Sequence, residues 1–364
     1  MSACFATSAD FSTAADAEAQ DMATSRRTKT FAADMPEGLK PRLRLFLSVD
    51  LVGSTAMKQS QQAWRPVIMN FYRDFDHTIH SQFKAFNHGR THTAATPEFW
   101  KSNGDEMLYT CELNNLEQAH NTIQIWLAAL HEYRSKITSM SDRLDIKSTG
   151  WIGLFPIPNA EVFFRRGDAH RPSGDLNDAV LLQSEIRDQW YAGQNRQDIT
   201  RDFVGPSIDT GFRLTAWAKP QRFIISVDLA FLLTSSYTAM TDPLPLHFSG
   251  REALKGVIDN EPYPMIWIPV GGEKAVDQTV GRHLVDPAVL RSYCEVIIEQ
   301  HYRFITPLFL TDASYEDFDW APPYIINEIK TLWKDERRYR SEASPVLSPS
   351  GGVLGVRTAQ RRRG

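Results

Sequence analysis

The run Leu43-Arg-Leu-Phe-Leu-Ser-Val-Asp50-Leu-Val-Gly53-Ser54-Thr55 constrains this chain more than any other stretch. An alternating apolar run, the period of a β-strand, ends in a lone carboxylate; a small-residue turn follows, and a helical pattern begins at once. A carboxylate at a strand end can hold a hard cation through oxygen, and the free amides that open a helix can hold phosphate. Both halves of a metal-nucleotide site therefore fit within about ten residues. Taken alone, the simpler reading is that Asp50 caps the helix. The rest of the chain has to decide between the two.

At 364 residues the chain exceeds the usual size of one domain, so one large domain or a domain with an extension is expected. A hydrophobic share of 42% and a net charge of −4 describe an ordinary globule with no footprint for nucleic acid. The basic cluster Arg361–Arg363 reads as a solvated tail. Cys4, Cys111 and Cys294 are odd in number and far apart, which argues against a disulfide framework and against a cysteine zinc site. No apolar run approaches the roughly 18 residues of a membrane span, and the start lacks the apolar core of a signal peptide. A cytoplasmic protein without membrane or nucleic-acid partners is the expectation.

In chain order, residues 1–40 are rich in Ala, Ser, Thr and Asp and read as a disordered arm. From Ser54 to Phe86 apolar residues recur at steps of three and four, predicting one long helix. Glu98 to Tyr109 predicts a hairpin turning at Asn103-Gly104-Asp105, with Lys101 and Asp105 near one end of the sheet. A helix over Leu116–Ile137 and a strand over Leu144–Phe155 follow. His88 and His92 lie four apart in a loop with no third partner nearby and read as surface histidines. Residues 165–201 turn polar and read as an insertion or lid with a short helix over Asn177–Tyr191. Gly205-Pro206 then opens a helix that carries Asp209 and Arg213 on one face, where a surface ion pair is the simplest expectation. Strands are expected over Arg222–Asp228 and Pro264–Val270, with a short helix over Leu229–Leu233 between them. Asp286-Pro287 and Pro323 start two helices of an added C-terminal extension, residues 280–340, and 341–364 read as a flexible tail.

Four separated segments share an order with a known family. Phe46 to Thr55, Lys101-Ser-Asn-Gly104-Asp105, Asp202 with Gly205, Asp209 and Arg213, and Leu254-Lys255-Gly256 resemble the metal, hairpin, base-reading and phosphate-lysine motifs of class III nucleotidyl cyclases. The resemblance covers roughly Arg42 to Pro269, and it implies an α+β catalytic domain over 41–271. Its core is a ferredoxin-like βαββαβ unit, an antiparallel sheet with helices packed on it. It further implies two divalent cations, Mn²⁺ or Mg²⁺, on Asp50 and Asp105, and amides of Leu51, Val52, Gly53, Ser54 and Thr55 on the β- and γ-phosphates. Lys101 and Asp202 are then the base-reading pair, Arg213 the contact to charge developing at the α-phosphate, and Lys255 a triphosphate ligand. In the family the metal pair comes from one subunit and the groups matching Lys101, Asp202, Asp209, Arg213 and Lys255 from its partner, so a head-to-tail homodimer is implied.

Asp209 departs from the pattern, because most relatives place Asn there. An amide both donates and accepts, whereas ionised Asp209 only accepts, so it either bonds a ribose hydroxyl or holds Arg213. A lysine donor and an aspartate acceptor fit adenine, uracil or cytosine, so the pair leaves the base open. The Ile208–Arg213 variant, bulky Phe99-Trp100, the insertion and the lack of a recognisable sensor domain resemble the pyrimidine cyclases of bacterial Pycsar antiphage systems. Those make cyclic UMP or cyclic CMP for a separate effector protein, and uridylate is preferred here over cytidylate. The alternatives are an adenylate cyclase and a regulatory module that binds nucleotide without catalysis.

Overall fold

The computed structural model describes residues 35–60, 64–91, 93–166, 176–235, 243–271, 284–302, 305 and 323–343. Most of the N-terminal arm, most of the tail, part of the insertion and His92 lie outside these residues.

The first strand, β1 (Arg42–Val52), sits in the middle of the sheet and explains the organisation around it. Leu43, Leu45, Leu47, Val49 and Leu51 face one side and join the main core, while Phe46 faces the other and joins a second, aromatic cluster. A strand buried on both faces reads as nearly continuous apolar sequence. Helix α1 (Ser54–Gln59) follows, then α2 (Trp64–Asn87), β2 (Glu98–Asn103), β3 (Glu106–Leu113), α3 (Leu116–Met140) and β4 (Asp145–Phe155). The strands β2, β3, β1 and β4 lie side by side in that order, all antiparallel, which is the βαββαβ arrangement the sequence led us to expect. Phe71, Phe75 and Phe83 of α2 and Trp126 and Tyr133 of α3 fill the space between these helices and the sheet. Phe75 meets Trp126 edge-on at 5.6 Å.

The sheet continues with β7 (Arg222–Ile225), parallel to β4, and then β9 (Pro262–Pro269) and β8 (His247–Ala253), both antiparallel. Between β4 and β7 run β5 (Ala160–Arg165), α4 (Leu176–Tyr191), β6 (Ile199–Val204) and α5 (Pro206–Leu214). Strands β5 and β6 form a separate antiparallel pair, and Phe163, Ile186 and Ile199 give this part its own small core against α4. The stretch read as a polar insertion therefore has a built interior. Helices α6 (Val227–Ser235), α7 (Pro287–Gln300) and α8 (Pro323–Ala343) complete the described chain.

Several expectations change. The single helix expected over 54–86 is two helices, because Pro66 lacks an N–H and its ring collides with the turn before it. Asp50 does not end its strand, since β1 runs on to Val52 and only Gly53 turns. The end of the predicted arm is in the fold: Met35 and Leu39 are buried with Leu154, Ile325 and Ile329, so residues on both sides of the domain meet α8. Helix α7 starts where Asp286 accepts the amides of Ala288 and Val289, as Asp-Pro suggested. It is no appendage, however, because Leu290, Cys294, Ile297 and Ile298 belong to the main core beside α6. Strands β5, β6 and β8 escape a sequence reading because each is short and polar on one side. Among the described residues no helix is long and apolar enough to cross a membrane.

Candidate active site

The turn from β1 into α1 is fixed by Gly53, whose φ of 87° is left-handed. A Cβ there would stand 2.2 Å from the carbonyl oxygen of Arg143, so both the space and the backbone require glycine. The first bond inside α1 runs from the Met57 N–H to the Gly53 carbonyl, which leaves the Ser54 and Thr55 amides without intrahelical acceptors. The Leu51 amide differs. It donates to the backbone carbonyl of Asp105 at 3.4 Å, so it is engaged and not open to a phosphate. The same bond ties the β1–α1 turn to the β2–β3 hairpin, and thereby brings Asp50 and Asp105 into one neighbourhood.

Each carboxylate already faces a cation. Asp50 lies 3.1 Å from the Lys147 ammonium of β4, which sits directly opposite it across the sheet. Asp105 accepts the Ser54 hydroxyl and lies 3.3 Å from the Lys58 ammonium. Burial alone would raise the Asp105 carboxyl, but the bonds from Ser54, its own backbone and Lys58 hold it below its usual range, as an anion. Across β3, Glu106 is directly opposite Asp50. Burial pushes its carboxyl up, the Asp50 charge adds to the shift, and one of its oxygens has no hydrogen-bond partner. Hard oxygen donors of this kind suit Mg²⁺ or Mn²⁺. Among the described residues no cluster of three or more His, Cys, Asp or Glu forms an all-protein cage.

Lys101 of β2 meets Asp202 of β6, a strand of the separate β5–β6 pair. The Lys101 ammonium lies 2.8 Å from Asp202 Oδ1, although 101 positions separate them, because β6 brings Asp202 over the end of β2. Aromatic rings form the wall of this pair: Lys101 Nζ stands 4.2 Å above the Trp100 ring and 5.7 Å from Phe212. Behind them Phe46 stacks on Trp151 at 5.6 Å. Helix α5 packs flat on that block through Gly211, where a Cβ would fall 2.1 Å from Trp151.

Asp209 and Arg213 project from the exposed face of α5, and neither has an ion-pair partner among the described residues, so the surface ion pair is absent. Lys255 is exposed in the turn from β8 to β9, next to Gly256 at φ 76°. Within one chain, then, the structure seats the Asp105 backbone against β1 beside Asp50 and pairs Lys101 with Asp202, and it leaves Asp209, Arg213 and Lys255 facing outward. Sequence reasoning overlooked Lys58, Lys147, Glu106 and the role of Trp100. Lys58 was legible as the residue one helical turn past Ser54. Lys147 and Glu106 become neighbours of Asp50 only through strand register.

No protein-family profile and no curated protein sequence matches the chain. Among solved structures, the adenylyl cyclase CyaB from P. aeruginosa superposes with a TM-score of 0.43 at 11% identity, over 65% of this chain and 97% of that one. The guanylyl cyclase Cya2 gives 0.38 at 15% identity, over 67% and 98%. The guanylate cyclase domain of RhGC from Catenaria anguillulae, in complex with GTP, gives 0.40 at 11% identity, over 63% and 97%. All three scores lie under 0.5.

Proposed function

We propose that this chain is a nucleotidyl cyclase, one that converts a pyrimidine nucleoside triphosphate, UTP ahead of CTP, into its 3′,5′-cyclic monophosphate and pyrophosphate. The observation that carries the reading is the Lys101–Asp202 contact, a donor and an acceptor placed side by side on an aromatic wall. It adjoins the helix that presents Arg213, and its Lys101 lies on the sheet that presents Asp50. A base edge can be read by the first pair, and a triphosphate can be neutralised by the exposed cations.

In this reading the ribose 3′-oxygen attacks the α-phosphorus of its own nucleotide, and the bond to the β-phosphate oxygen breaks. The chain supplies position and charge. Lys101 and Asp202 orient the base, the amides ahead of Met57 meet phosphate oxygens, and Arg213 and Lys255 balance charge on the α-phosphate and the leaving pyrophosphate. Asp209 accepts from a ribose hydroxyl or holds Arg213. Asp50 and Asp105 would hold one or two divalent cations, which when bound activate the 3′-oxygen and clamp the triphosphate. The outward, unpartnered placement of Asp209, Arg213 and Lys255 supports two half-sites that complete each other in a head-to-tail homodimer. The product would act on a separate effector protein in antiphage defence, a role that rests on the sequence resemblance.

Incubating the purified protein with each of the four nucleoside triphosphates and Mn²⁺, and identifying the products, tests the proposal. Cyclic UMP or cyclic CMP is expected. Cyclic AMP as the main product would replace the pyrimidine reading by adenylate cyclase, which the same donor–acceptor pair also suits. Nucleotide bound without turnover would favour the regulatory module.

A further inference from the structure

Strand β2 carries an irregularity that the base pair depends on. Phe99 is opposite Tyr109 and Lys101 is opposite Leu108, so Trp100 is an extra residue with no partner on β3. A bulge of this kind re-aims side chains. In a regular strand Trp100 and Lys101 would face opposite sides of the sheet. Here both reach the same carboxylate: Trp100 Nε1–H donates to Asp202 Oδ1 at 3.0 Å and Lys101 Nζ donates to it at 2.8 Å. The Phe203 amide donates to that oxygen as well, at 2.9 Å. All three bonds fall on Oδ1, and Oδ2 accepts none from the described residues. The side chains of Asp202 and Lys101 are 34% and 37% exposed, so a ligand can reach both.

We infer that Trp100 is a specificity-determining residue of the base pocket, a positioning group whose indole N–H pins one oxygen of Asp202 and leaves the other as the single acceptor for the base. The inference rests on the cyclase reading above. A carboxylate free to turn about its last bond can offer either oxygen to base edges of different size and polarity. A pinned carboxylate offers one acceptor at one distance from the Lys101 ammonium, and only a base whose N–H and acceptor match that spacing is held by both. The indole is itself immobilised, edge-on to Phe46 at 5.3 Å and to Phe203 at 5.2 Å. Phenylalanine at this position keeps the ring wall and removes the donor.

The test is W100F assayed beside the wild type with all four nucleoside triphosphates. One lost bond to a carboxylate that keeps two other donors corresponds to about tenfold, the low end for bonds to charged groups. The expected loss in kcat/KM on the preferred nucleotide therefore appears in KM, with kcat nearly kept, because base contacts bind ground and transition states alike. The ratio of preferred to second-best nucleotide should fall by the same factor. A W100F enzyme whose selectivity stays within twofold of the wild type overturns the inference while leaving the cyclase reading intact. A wild type that makes no cyclic nucleotide from any of the four refutes the cyclase reading itself. If W100F does not fold, W100L, which also removes the donor, tests the same ratio. If that also fails, the Trp100 indole N–H resonance in the wild type is followed: a shift with the preferred nucleotide supports the inference, and an unmoved resonance overturns it.

Discussion

Asp228→Asn separates a buried charge from the rest of the fold's pH response. Asp228 lies in the first turn of α6, where its Oδ1 accepts the Leu229 amide at 2.9 Å and the Ser226 hydroxyl. Burial pushes its carboxyl up from the ordinary 3.8 to about 6, against the Ser226 and backbone bonds that pull it down. The folded state thus holds this proton more tightly than the unfolded chain. Below the ordinary value both states are protonated and the stabilisation is fully present; as pH rises to about 6 the unfolded chain ionises first, and stability is lost. The gap from 3.8 to about 6, at about 1.36 kcal/mol for each tenfold step, corresponds to about 3 kcal/mol.

The groups facing Asp228 do not confuse the window. Burial pushes the Cys294 thiol up to about 12, and burial and the Asp228 charge put Tyr263 far above its usual range, so both stay neutral. Asparagine keeps the acceptor for the Leu229 amide and cannot ionise. Urea unfolding of wild type and D228N, from pH 4 to pH 7.5, should show the difference between them shifting by about 2 kcal/mol in favour of the variant as pH rises. A difference that is flat within about 0.5 kcal/mol, or one that moves the other way, would refute the assignment of the charge cost to Asp228.

Asp50→Ala or Asp105→Ala should abolish cyclic nucleotide formation with the thermal midpoint little changed; product from either variant would contradict the metal assignment. Arg187 of α4 makes two bonds to Glu336 of α8, at 2.7 and 2.8 Å, with both side chains nearly buried. Glu336→Ala leaves that guanidinium with Asp188 alone, at 3.2 Å, and should destabilise by about 3 kcal/mol, whereas Arg187→Met with Glu336→Met should recover most of the loss in urea unfolding. Gly211→Ala drives a methyl into the fully buried Trp151 ring. Overpacking costs about 1–3 kcal/mol and outweighs the roughly 1 kcal/mol that alanine gains in a helix, so a lower thermal midpoint is expected.

Period and punctuation alone determined a good part of this protein. The alternation from Leu43 to Val49 marked the central strand, Asn103-Gly104 the hairpin, the steps of three and four from Val67 to Phe83 a core helix, and Gly205-Pro206 and Asp286-Pro287 two helix starts. These signals are local, because a strand's two-residue period and a helix's cap act over one or two turns of chain. Asp50, Lys101 and Asp105 stood out because they sit beside local turn signals, whereas Asp202 was singled out by the family resemblance alone. Pairing was decided elsewhere. Lys147 and Glu106 meet Asp50 only because β4 and β3 flank β1 in one register, and a slip of one residue would send their side chains to the other face. α8 closes on Met35 and Leu39 through apolar contacts between the two ends of the described chain. The bulge at Trp100 has no local signature, since an extra residue in a strand is defined by its partner strand. The family resemblance pointed to Lys101 and Asp202; the fold alone put the Trp100 indole N–H on one oxygen of Asp202.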